Sequence, residues 1–297
     1  MGYLFAVGAT LIWSSNFIVA LELKGSVPPV SLAFWRWFVA VVVLLPFTLR
    51  ALVNQWQTIR ENLPYLSITA LLGVTLFNTL LYLGSQTTSA INLSLISITS
   101  PIFIIIIARF LYGELLTFYK ASGIMLVTAG VILLITGGDP AGLLNLSFAI
   151  GDLWMLIGAF LFAVYSILII KKPPQLNIWA FQLVTFLLGL LFLFPFYVWE
   201  YLSVPAAVFD DNAVYSILYL GVFASLLAYV FWNQSILMIG ATNVGMVYYT
   251  LPIFSGALAY WLLDEDIGML HLSSGLLIVL GIFTANYVPK KTRPTER

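Results

Sequence analysis

The feature that most constrains this chain is a succession of apolar stretches, each long enough to cross a membrane. A helix of about 20 residues spans the hydrocarbon core of a bilayer. Of the 297 residues, 62% are hydrophobic and 8% are charged, whereas a soluble domain has about 25% charged residues. Each stretch is predicted to be a helix, because backbone groups in lipid must pair within their own segment. The predicted fold is an all-α integral membrane protein with ten transmembrane helices, at residues 2–21, 30–49, 65–86, 89–112, 120–137, 149–170, 178–199, 213–238, 242–263 and 269–288.

The basic residues predict the orientation of these helices. Cytoplasmic loops of membrane proteins carry an excess of Lys and Arg. Ten helices place both termini on one side, and a cytoplasmic side leaves only Lys24 and Arg36 outside or near the outer end. We predict a multi-pass protein of the cell inner (plasma) membrane with both termini in the cytoplasm. The basic residues then inside are Arg50, Arg60, Arg109, Lys120, Lys171, Lys172, Lys290, Lys291, Arg293 and Arg297.

The sequence repeats itself at an offset of 151 residues. Pro101-Ile102-Phe103 recurs as Pro252-Ile253-Phe254. Shared composition of apolar helices does not explain polar residues that match at the same spacing. These further matches are Ala90 with Ala241, Asn92 with Asn243, Thr99 with Thr250, Glu114 with Glu265 and Gly130 with Gly281.

The repeat predicts the domain organisation. Each copy has five helices, an odd number, so the second copy enters the membrane from the opposite side. Such inverted repeats place a substrate site between the halves near mid-membrane and allow alternating access. The predicted domains are a first repeat at 1–140, an outer connecting loop at 141–148, a second repeat at 149–288 and a basic cytoplasmic tail at 289–297.

Several motifs resemble the EamA domain: Ala90-x-Asn92, Pro101 and Gly113-Glu114 with their echo in the second half, "IWSSNF" (12–17) and "FWRWF" (34–38). Two such domains form the ten-helix members of the drug/metabolite transporter superfamily, and the resemblance covers nearly the whole chain. The chain departs from the family pattern at Ser14, often a glycine, and at Glu265, which lacks its usual glycine neighbour. The resemblance implies export of small metabolites across the bacterial inner membrane. Exporters of amino acids, including aromatic ones, are the nearest group that it suggests.

Polar stripes on the third and eighth helices form a candidate substrate site. Asn78 and Tyr82 lie four residues apart and share one helix face, and Tyr229 and Asn233 are their equivalents at the 151-residue offset. Polar side chains inside a bilayer face the bundle or a water-filled cavity. We predict that these four residues line the substrate cavity. Hydrogen bonding between helices, worth about 0.6 kcal/mol per contact, is the alternative explanation.

The prolines of the fourth and ninth helices are predicted gating elements. Pro101 and Pro252 each remove the hydrogen bond to the carbonyl four residues earlier. Inside a membrane that carbonyl needs another partner, so a kink exposes a polar backbone group next to polar side chains. A packing kink without an exposed carbonyl is the alternative. The flanking side chains predicted to bind substrate are Ser97, Thr99, Tyr248 and Thr250.

Three residues near the start of the chain complete the candidate site. Trp13 and Asn16 lie at mid-span of the first helix and are expected to face the cavity. Arg36 lies inside an apolar run, and its guanidinium suits a substrate carboxylate because it pairs bidentately. Arg36 also has the length to snorkel to the outer surface or to pair with Glu22. We expect this second arrangement, although Arg36 stays among the candidate substrate-binding residues.

The residue inventory limits the chemistry of the chain. There is no cysteine and a single histidine, His271, which excludes thiolate and two-histidine metal sites. We therefore predict no catalytic residue, no metal and no cofactor, and hence not an enzyme. No Asp or Glu lies near the centre of a predicted helix. This pattern predicts facilitated diffusion or exchange, because proton-coupled transporters usually keep such a group at depth.

The predicted partners are a small-molecule substrate and the lipid bilayer, with no nucleic acid. A transporter of the same fold for another cargo, such as a nucleotide, a sugar conjugate or a drug, is the alternative function. The oligomeric state stays open, because small-residue faces pack equally well within or between protomers. The glycines on these faces are Gly123, Gly130, Gly275 and Gly281.

Overall fold

The computed structural model describes residues 1–88, 93, 96–113, 117–136, 138–139, 149–205, 207–263, 268–285 and 287. All regular secondary structure in these residues is helical, which confirms the all-α prediction for them. The predicted connecting loop at 141–148 and the tail at 289–297 lie outside the described residues. So do the motif residues Ala90, Asn92, Glu114 and Glu265.

The described part of the first half forms these α-helices: α1 (Gly2–Ser14), α2 (Asn16–Glu22), α3 (Pro29–Asn54), α4 (Trp56–Glu61), α5 (Leu63–Ala70), α6 (Phe77–Ser85), α7 (Ser100–Tyr112) and α8 (Phe118–Ile135). A π-helix, π1 (Leu71–Leu76), joins α5 to α6. Pro29 begins α3, where its missing N–H leaves no helical hydrogen bond unmade. Gly113 ends α7 with a φ of 66°, the left-handed conformation that glycine adopts without strain.

The described part of the second half forms α9 (Ile150–Ile169), α10 (Ile178–Ser203), α11 (Asp211–Tyr219), α12 (Ala228–Ile239), α13 (Ala241–Tyr248), α14 (Leu251–Leu263) and α15 (Met269–Ala285). A second π-helix, π2 (Leu220–Leu227), joins α11 to α12. Asn177 caps α10 by accepting a hydrogen bond from the backbone N–H of Ala180. Asp210 caps α11 in the same way. Both caps satisfy a donor that the first helical turn cannot pair internally.

Irregularities recur at matching places in the two halves. The helices α3 and α10 each have 26 residues and contain one proline, Pro46 and Pro195. The rods α5–π1–α6 and α11–π2–α12 each contain a π-helix, an insertion that interrupts the regular α-helical ladder and is frequent at functional sites. These shared irregularities are what two copies of one repeat would produce. The inverted orientation of the copies stays a prediction.

Among the described residues, six helical spans, some made of consecutive named helices, are long and apolar enough to cross a membrane: Gly2–Ala20, Pro29–Asn54, Leu63–Ser85, Ile150–Ile169, Ile178–Ser203 and Asp211–Ile239. Shorter apolar helices lie at Ser100–Tyr112, Phe118–Leu133 and Leu272–Ala285. The predicted helix at 242–263 is divided, since α13 ends at Tyr248 and α14 begins at Leu251. The total of ten transmembrane helices stays a prediction.

The helix pair α8 and α15 packs through close backbone contact. A Cβ added to Gly123 would overlap the carbonyl oxygen of Gly281, and one added to Gly281 would overlap that of Gly123. Gly130 likewise faces the backbone carbonyl of Ser274. These three glycines therefore pack within the chain, as small residues do between membrane helices. Gly275 has open space around it.

Five helices, α3, α6, α9, α10 and α12, surround the middle of the bundle and bury its bulkiest polar side chains. Polar side chains there must find partners on neighbouring helices, because burying an unpaired polar group is costly. The large side chains fully buried in this region include Arg36, Trp37, Tyr82, Tyr165, Tyr229 and Trp232.

Candidate functional site

The centre of the bundle is organised around Arg36, whose side chain is 0% exposed. Its Nε donates a hydrogen bond to Ser225 Oγ on π2 at 2.6 Å. Its Nη1 donates to Asn78 Oδ1 on α6 at 2.9 Å, to Tyr82 Oη on the same helix, and to Asn16 Oδ1 on α2 at 3.4 Å. The guanidinium thus ties together four helical segments from both halves of the chain.

Asn78 and Tyr229 form the direct link between the halves. Asn78 Nδ2 donates to Tyr229 Oη at 2.8 Å, across 151 positions of the sequence. Tyr229 Oη in turn donates to the backbone oxygen of Gly73 at 2.7 Å. Gly73 lies in π1, where the interrupted α-helical ladder makes backbone groups available to side chains. Two residues at equivalent repeat positions therefore contact each other.

Gly73 also sets the packing between π1 and α9. A Cβ at this position would lie 2.5 Å from Cε2 and 2.7 Å from Cγ of Tyr165. Real Cβ atoms do not approach ring carbons so closely, since carbon atoms attract best at about 3.5–4.0 Å. Glycine is required here because the Tyr165 ring occupies the space of a side chain.

A second group of hydrogen bonds lies one helical turn along α12. Tyr165 Oη donates to Asn233 Oδ1 at 2.9 Å, and Asn233 Nδ2 donates to Gln182 Oε1 at 2.8 Å. Tyr165, Gln182 and Asn233 are each 1% exposed or less. This group meets the contacts of Arg36 where the ring centroids of Tyr165 and Tyr229 lie 5.8 Å apart. The two groups together are hereafter the central network: Asn16, Arg36, Asn78, Tyr82, Tyr165, Gln182, Ser225, Tyr229 and Asn233.

Trp13 lies in an aromatic cluster beside the central network. Its Nε1 donates to the backbone oxygen of Ala224 at 2.9 Å. Its ring meets those of Tyr229 and Trp232 with centroids 5.4 Å and 5.2 Å away, and it also packs edge-on against Phe162 and Tyr248. Aromatic pairs at such distances each stabilise by about 0.5–1.5 kcal/mol beyond the area that they bury. Trp13 is therefore held in place by the aromatic rings packed around it.

The two candidate prolines lie in the first turn of a new helix. Pro101 follows Ser100 at the start of α7, and Pro252 follows Leu251 at the start of α14. The preceding turns are tightened to hydrogen bonds three residues apart, from Thr99 N to Ile96 O and from Thr250 N to Val247 O. A proline in a first turn lacks an N–H that would have had no helical partner. The breaks at 98–99 and 249–250 thus match at the 151-residue offset.

The polar residues before these breaks form local contacts. Thr99 Oγ1 donates to Ile96 O at 2.6 Å, and Thr250 Oγ1 donates to Val247 O at 2.8 Å. Ser97 is fully buried and interacts with the Tyr248 hydroxyl. None of these contacts is with the described members of the central network. These polar residues therefore lie at the helix breaks, next to the aromatic cluster that contains Tyr248.

Three buried N–H groups close to the central network have no hydrogen-bond partner among the described residues: Arg36 Nη2, Trp37 Nε1 and Gln182 Nε2. Arg36 also stacks its guanidinium over the rings of Trp37 and Tyr82, 5.1 Å and 5.7 Å from their centroids. All of its hydrogen-bond acceptors are uncharged oxygens. The site therefore holds a buried positive charge without a carboxylate partner in the described part of the chain.

The comparisons with known proteins identify the family. A family model for EamA-like transporters matches residues 1–136 and again residues 149–287. This chain belongs to the EamA-like transporter family. The predicted family resemblance is confirmed, and the family model matches once in each predicted repeat.

Two relatives of this EamA-like transporter are similar to it in length, and a third is longer. An uncharacterized transporter of Archaeoglobus fulgidus is 29% identical over 280 residues, 92% of this chain and 93% of that protein. The uncharacterized transporter YyaM of Bacillus subtilis is 26% identical over 291 residues, 96% of this chain and 93% of that protein. A WAT1-related chloroplastic protein of Arabidopsis thaliana, At3g02690, is 25% identical over 290 residues, 93% of this chain and 67% of that protein.

A solved crystal structure shares the fold, with a TM-score of 0.77 at 18% sequence identity over 96% of both chains. The family and the relatives from Archaeoglobus fulgidus and Bacillus subtilis are named as transporters, so this EamA-like chain is a membrane transporter. The same names confirm the prediction that it is not an enzyme.

One sequence expectation about this transporter was wrong. Arg36 neither snorkels to the surface nor pairs with Glu22, because uncharged oxygens on α2, α6 and π2 accept its hydrogen bonds inside the bundle. Glu22 instead accepts a hydrogen bond from Asn212 at the exposed surface. The inward arrangement brings Arg36 to Asn78, one of the four stripe residues, which sequence reasoning had placed separately.

Sequence reasoning missed three residues of this EamA-like transporter's site. Gln182 is a lone amide in an apolar run, and this signal was available in the sequence. Gly73 and Trp37 resembled the many other glycines and aromatic residues of the chain. No group of three His, Cys, Asp or Glu side chains that could hold a metal occurs within the described ranges.

Proposed function

We propose that this transporter exports small metabolites that carry a carboxylate, amino acids including aromatic ones among them, through a central site between the two repeats. The observation that carries the proposal is the buried charge of Arg36. A guanidinium stays protonated in proteins, and an isolated buried charge costs several kcal/mol even after relaxation. The four oxygens around Arg36 are all neutral.

A substrate carboxylate would offset this cost at the unpartnered Nη2. Opposite charges about 4 Å apart attract by about 4 kcal/mol at the effective dielectric constant typical of proteins. Guanidinium–carboxylate hydrogen bonds are also among the stronger ones in proteins. A cationic drug would need the opposite charge, and no described member of the central network is acidic. Nucleotides and sugar conjugates stay as alternative cargoes.

The contact between Asn78 and Tyr229 supports a central position for the site. Equivalent residues of two repeats meet only near the axis that relates the repeats. This contact supports the proposal that the central network lies at the interface between the repeats, where inverted-repeat transporters bind their substrates. We propose Asn16, Arg36, Asn78, Tyr82, Tyr229 and Asn233 as the substrate-binding set, with Trp13, Ser97, Thr99, Tyr248 and Thr250 next to it.

Alternating access requires segments that bend. We propose that the helix breaks before Pro101 and Pro252 serve as hinges, because they interrupt the helical ladder next to the aromatic cluster. We further propose that transport is facilitated diffusion or exchange in the inner membrane, with both termini cytoplasmic.

The test is exchange in liposomes that contain the purified protein and labelled phenylalanine. Unlabelled amino acids outside should accelerate efflux of the label in the wild type. An Arg36→Gln variant should fall to the rate of protein-free liposomes. Arg50→Gln is the matched control, since Arg50 is an exposed arginine of the same helix α3. The proposal fails if Arg36→Gln exchanges as fast as wild type, or if cationic compounds are exchanged and carboxylates are not.

A further inference from the structure

Among the described residues, the unpartnered side-chain groups of the central network and of the adjoining Trp37 are all hydrogen-bond donors, whereas unpartnered hydroxyls lie at Ser100 and Tyr249, near the helix breaks. Arg36 Nη2 and Trp37 Nε1 are adjacent on α3, and Gln182 Nε2 is on α10. Trp37 packs its ring on Phe186 with centroids 4.6 Å apart, and Phe186 lies one turn after Gln182 on the same face of α10. Trp37 therefore contacts both the Arg36 guanidinium, whose Cζ lies 5.1 Å from its ring centroid, and the face of α10 that carries Gln182.

Each side-chain oxygen around Arg36, and each amide oxygen of the central network, already accepts at least one hydrogen bond. Asn16, Asn78, Tyr82 and Ser225 accept hydrogen bonds from Arg36. The amide oxygens of Asn233 and Gln182 accept from Tyr165 and from Asn233. A bound ammonium would find no carboxylate among these residues to balance its charge, and it would lie near the positive charge of Arg36. Like charges close together in a poorly solvated site repel each other strongly.

We infer that the preferred cargo is an aromatic monocarboxylate without an ammonium group, and that the matching amino acid binds less tightly. The inference rests on the proposed function and narrows its substrate class. The carboxylate oxygens accept from Arg36 Nη2 and from the neighbouring donors Trp37 and Gln182. The rings of Trp37, Phe186 and Tyr229, which pack on one another, form an apolar wall for the aromatic part.

The experiment compares three ligands that share one phenyl ring: 3-phenylpropanoate, phenylalanine and phenylethylamine. Binding to the purified full-length protein in detergent is measured by calorimetry and by the ligand-dependent rise in melting temperature. We expect 3-phenylpropanoate to have a dissociation constant at least about tenfold below that of phenylalanine, a difference of about 1.4 kcal/mol. Phenylethylamine should not bind.

Variants test the assignment of the donors. Trp37→Phe removes one unpartnered donor and leaves every hydrogen bond of the central network in place, so it should fold. Gln182→Leu removes a second donor, but it also removes the oxygen that accepts from Asn233 Nδ2, so its melting temperature is measured alongside. Each should weaken 3-phenylpropanoate binding several-fold, whereas Arg50→Gln should leave it unchanged. Binding that is unchanged in both donor variants would overturn the inference.

The outcomes separate the inference from the proposed function. If phenylalanine binds as tightly as 3-phenylpropanoate or more tightly, and Arg36→Gln abolishes its binding, the narrower inference is overturned and carboxylate export stands. If phenylethylamine binds and both carboxylates fail to bind, the proposed function is overturned as well.

Discussion

The substitution Gly73→Ala tests the packing that holds the central network together. The new Cβ would lie 2.5 Å from Cε2 of Tyr165, and the ring cannot move freely because its hydroxyl donates to Asn233. Overpacking of a buried site costs about 1–3 kcal/mol, and losing the Tyr165 hydrogen bond adds about 1 kcal/mol. The better helix propensity of alanine returns about 1 kcal/mol. The net expectation is a destabilisation of about 1–3 kcal/mol.

The assay is the apparent melting temperature in detergent together with exchange in liposomes. A loss of this size lowers the melting temperature by roughly 2–5 °C for a chain of about 300 residues. Exchange should fall too, because the Gly73 carbonyl accepts the hydrogen bond of Tyr229. Gly158→Ala is the matched control, since a Cβ at this buried glycine of α9 would lie 3.6 Å from Phe77, an ordinary contact distance.

A double-mutant cycle checks the stated cause of this destabilisation. In a Tyr165→Ala background the ring is absent, so Gly73→Ala should cost no further stability. The reasoning is refuted if Gly73→Ala and Gly158→Ala have equal melting temperatures and equal exchange rates. It is also refuted if Gly73→Ala costs the same with and without the Tyr165 ring.

Three further predictions concern charge, capping and the helix breaks. Asn78→Asp places a carboxylate at the position that accepts from Arg36 Nη1 at 2.9 Å and loses the hydrogen bond that Asn78 Nδ2 donates to Tyr229. The new ion pair should neutralise the buried charge and abolish exchange of carboxylates; retained exchange would contradict the role of the buried charge. Glu200→Gln weakens the hydrogen bonds that the buried carboxylate accepts from Val30 N, Ser31 N and Ser31 Oγ at the start of α3, and should lower stability by about 1–2 kcal/mol, measured by thermal unfolding. Pro252→Ala restores an N–H and favours a continuous α13–α14 helix, so the maximal exchange rate should fall at unchanged half-saturation; an unaltered rate would show that this break is not a hinge.

The sequence alone predicted the helices and the polar positions, because both follow from local rules. Lipid allows only helices for a chain of this composition, and a four-residue spacing places Asn78 and Tyr82 on one face whatever the neighbours are. The 151-residue offset also paired Asn78 with Tyr229 before any contact between them was known. Local rules did not predict π1 and π2, since a π-helix depends on how one turn packs against its neighbours.

The tertiary structure decided the direction of Arg36 and hence the chemistry of the site. Snorkelling and inward burial are both within the reach of the same side chain. The choice depends on Asn78 and Ser225, which are 42 and 189 residues away in the sequence and become neighbours only when the helices pack. The requirement for glycine at position 73 also depends on the tertiary structure, because the Tyr165 ring that excludes a Cβ comes from the other half of the chain. Composition and spacing thus determined a membrane bundle with polar stripes on its helices. Helix packing determined which of these polar residues contact the buried guanidinium of Arg36.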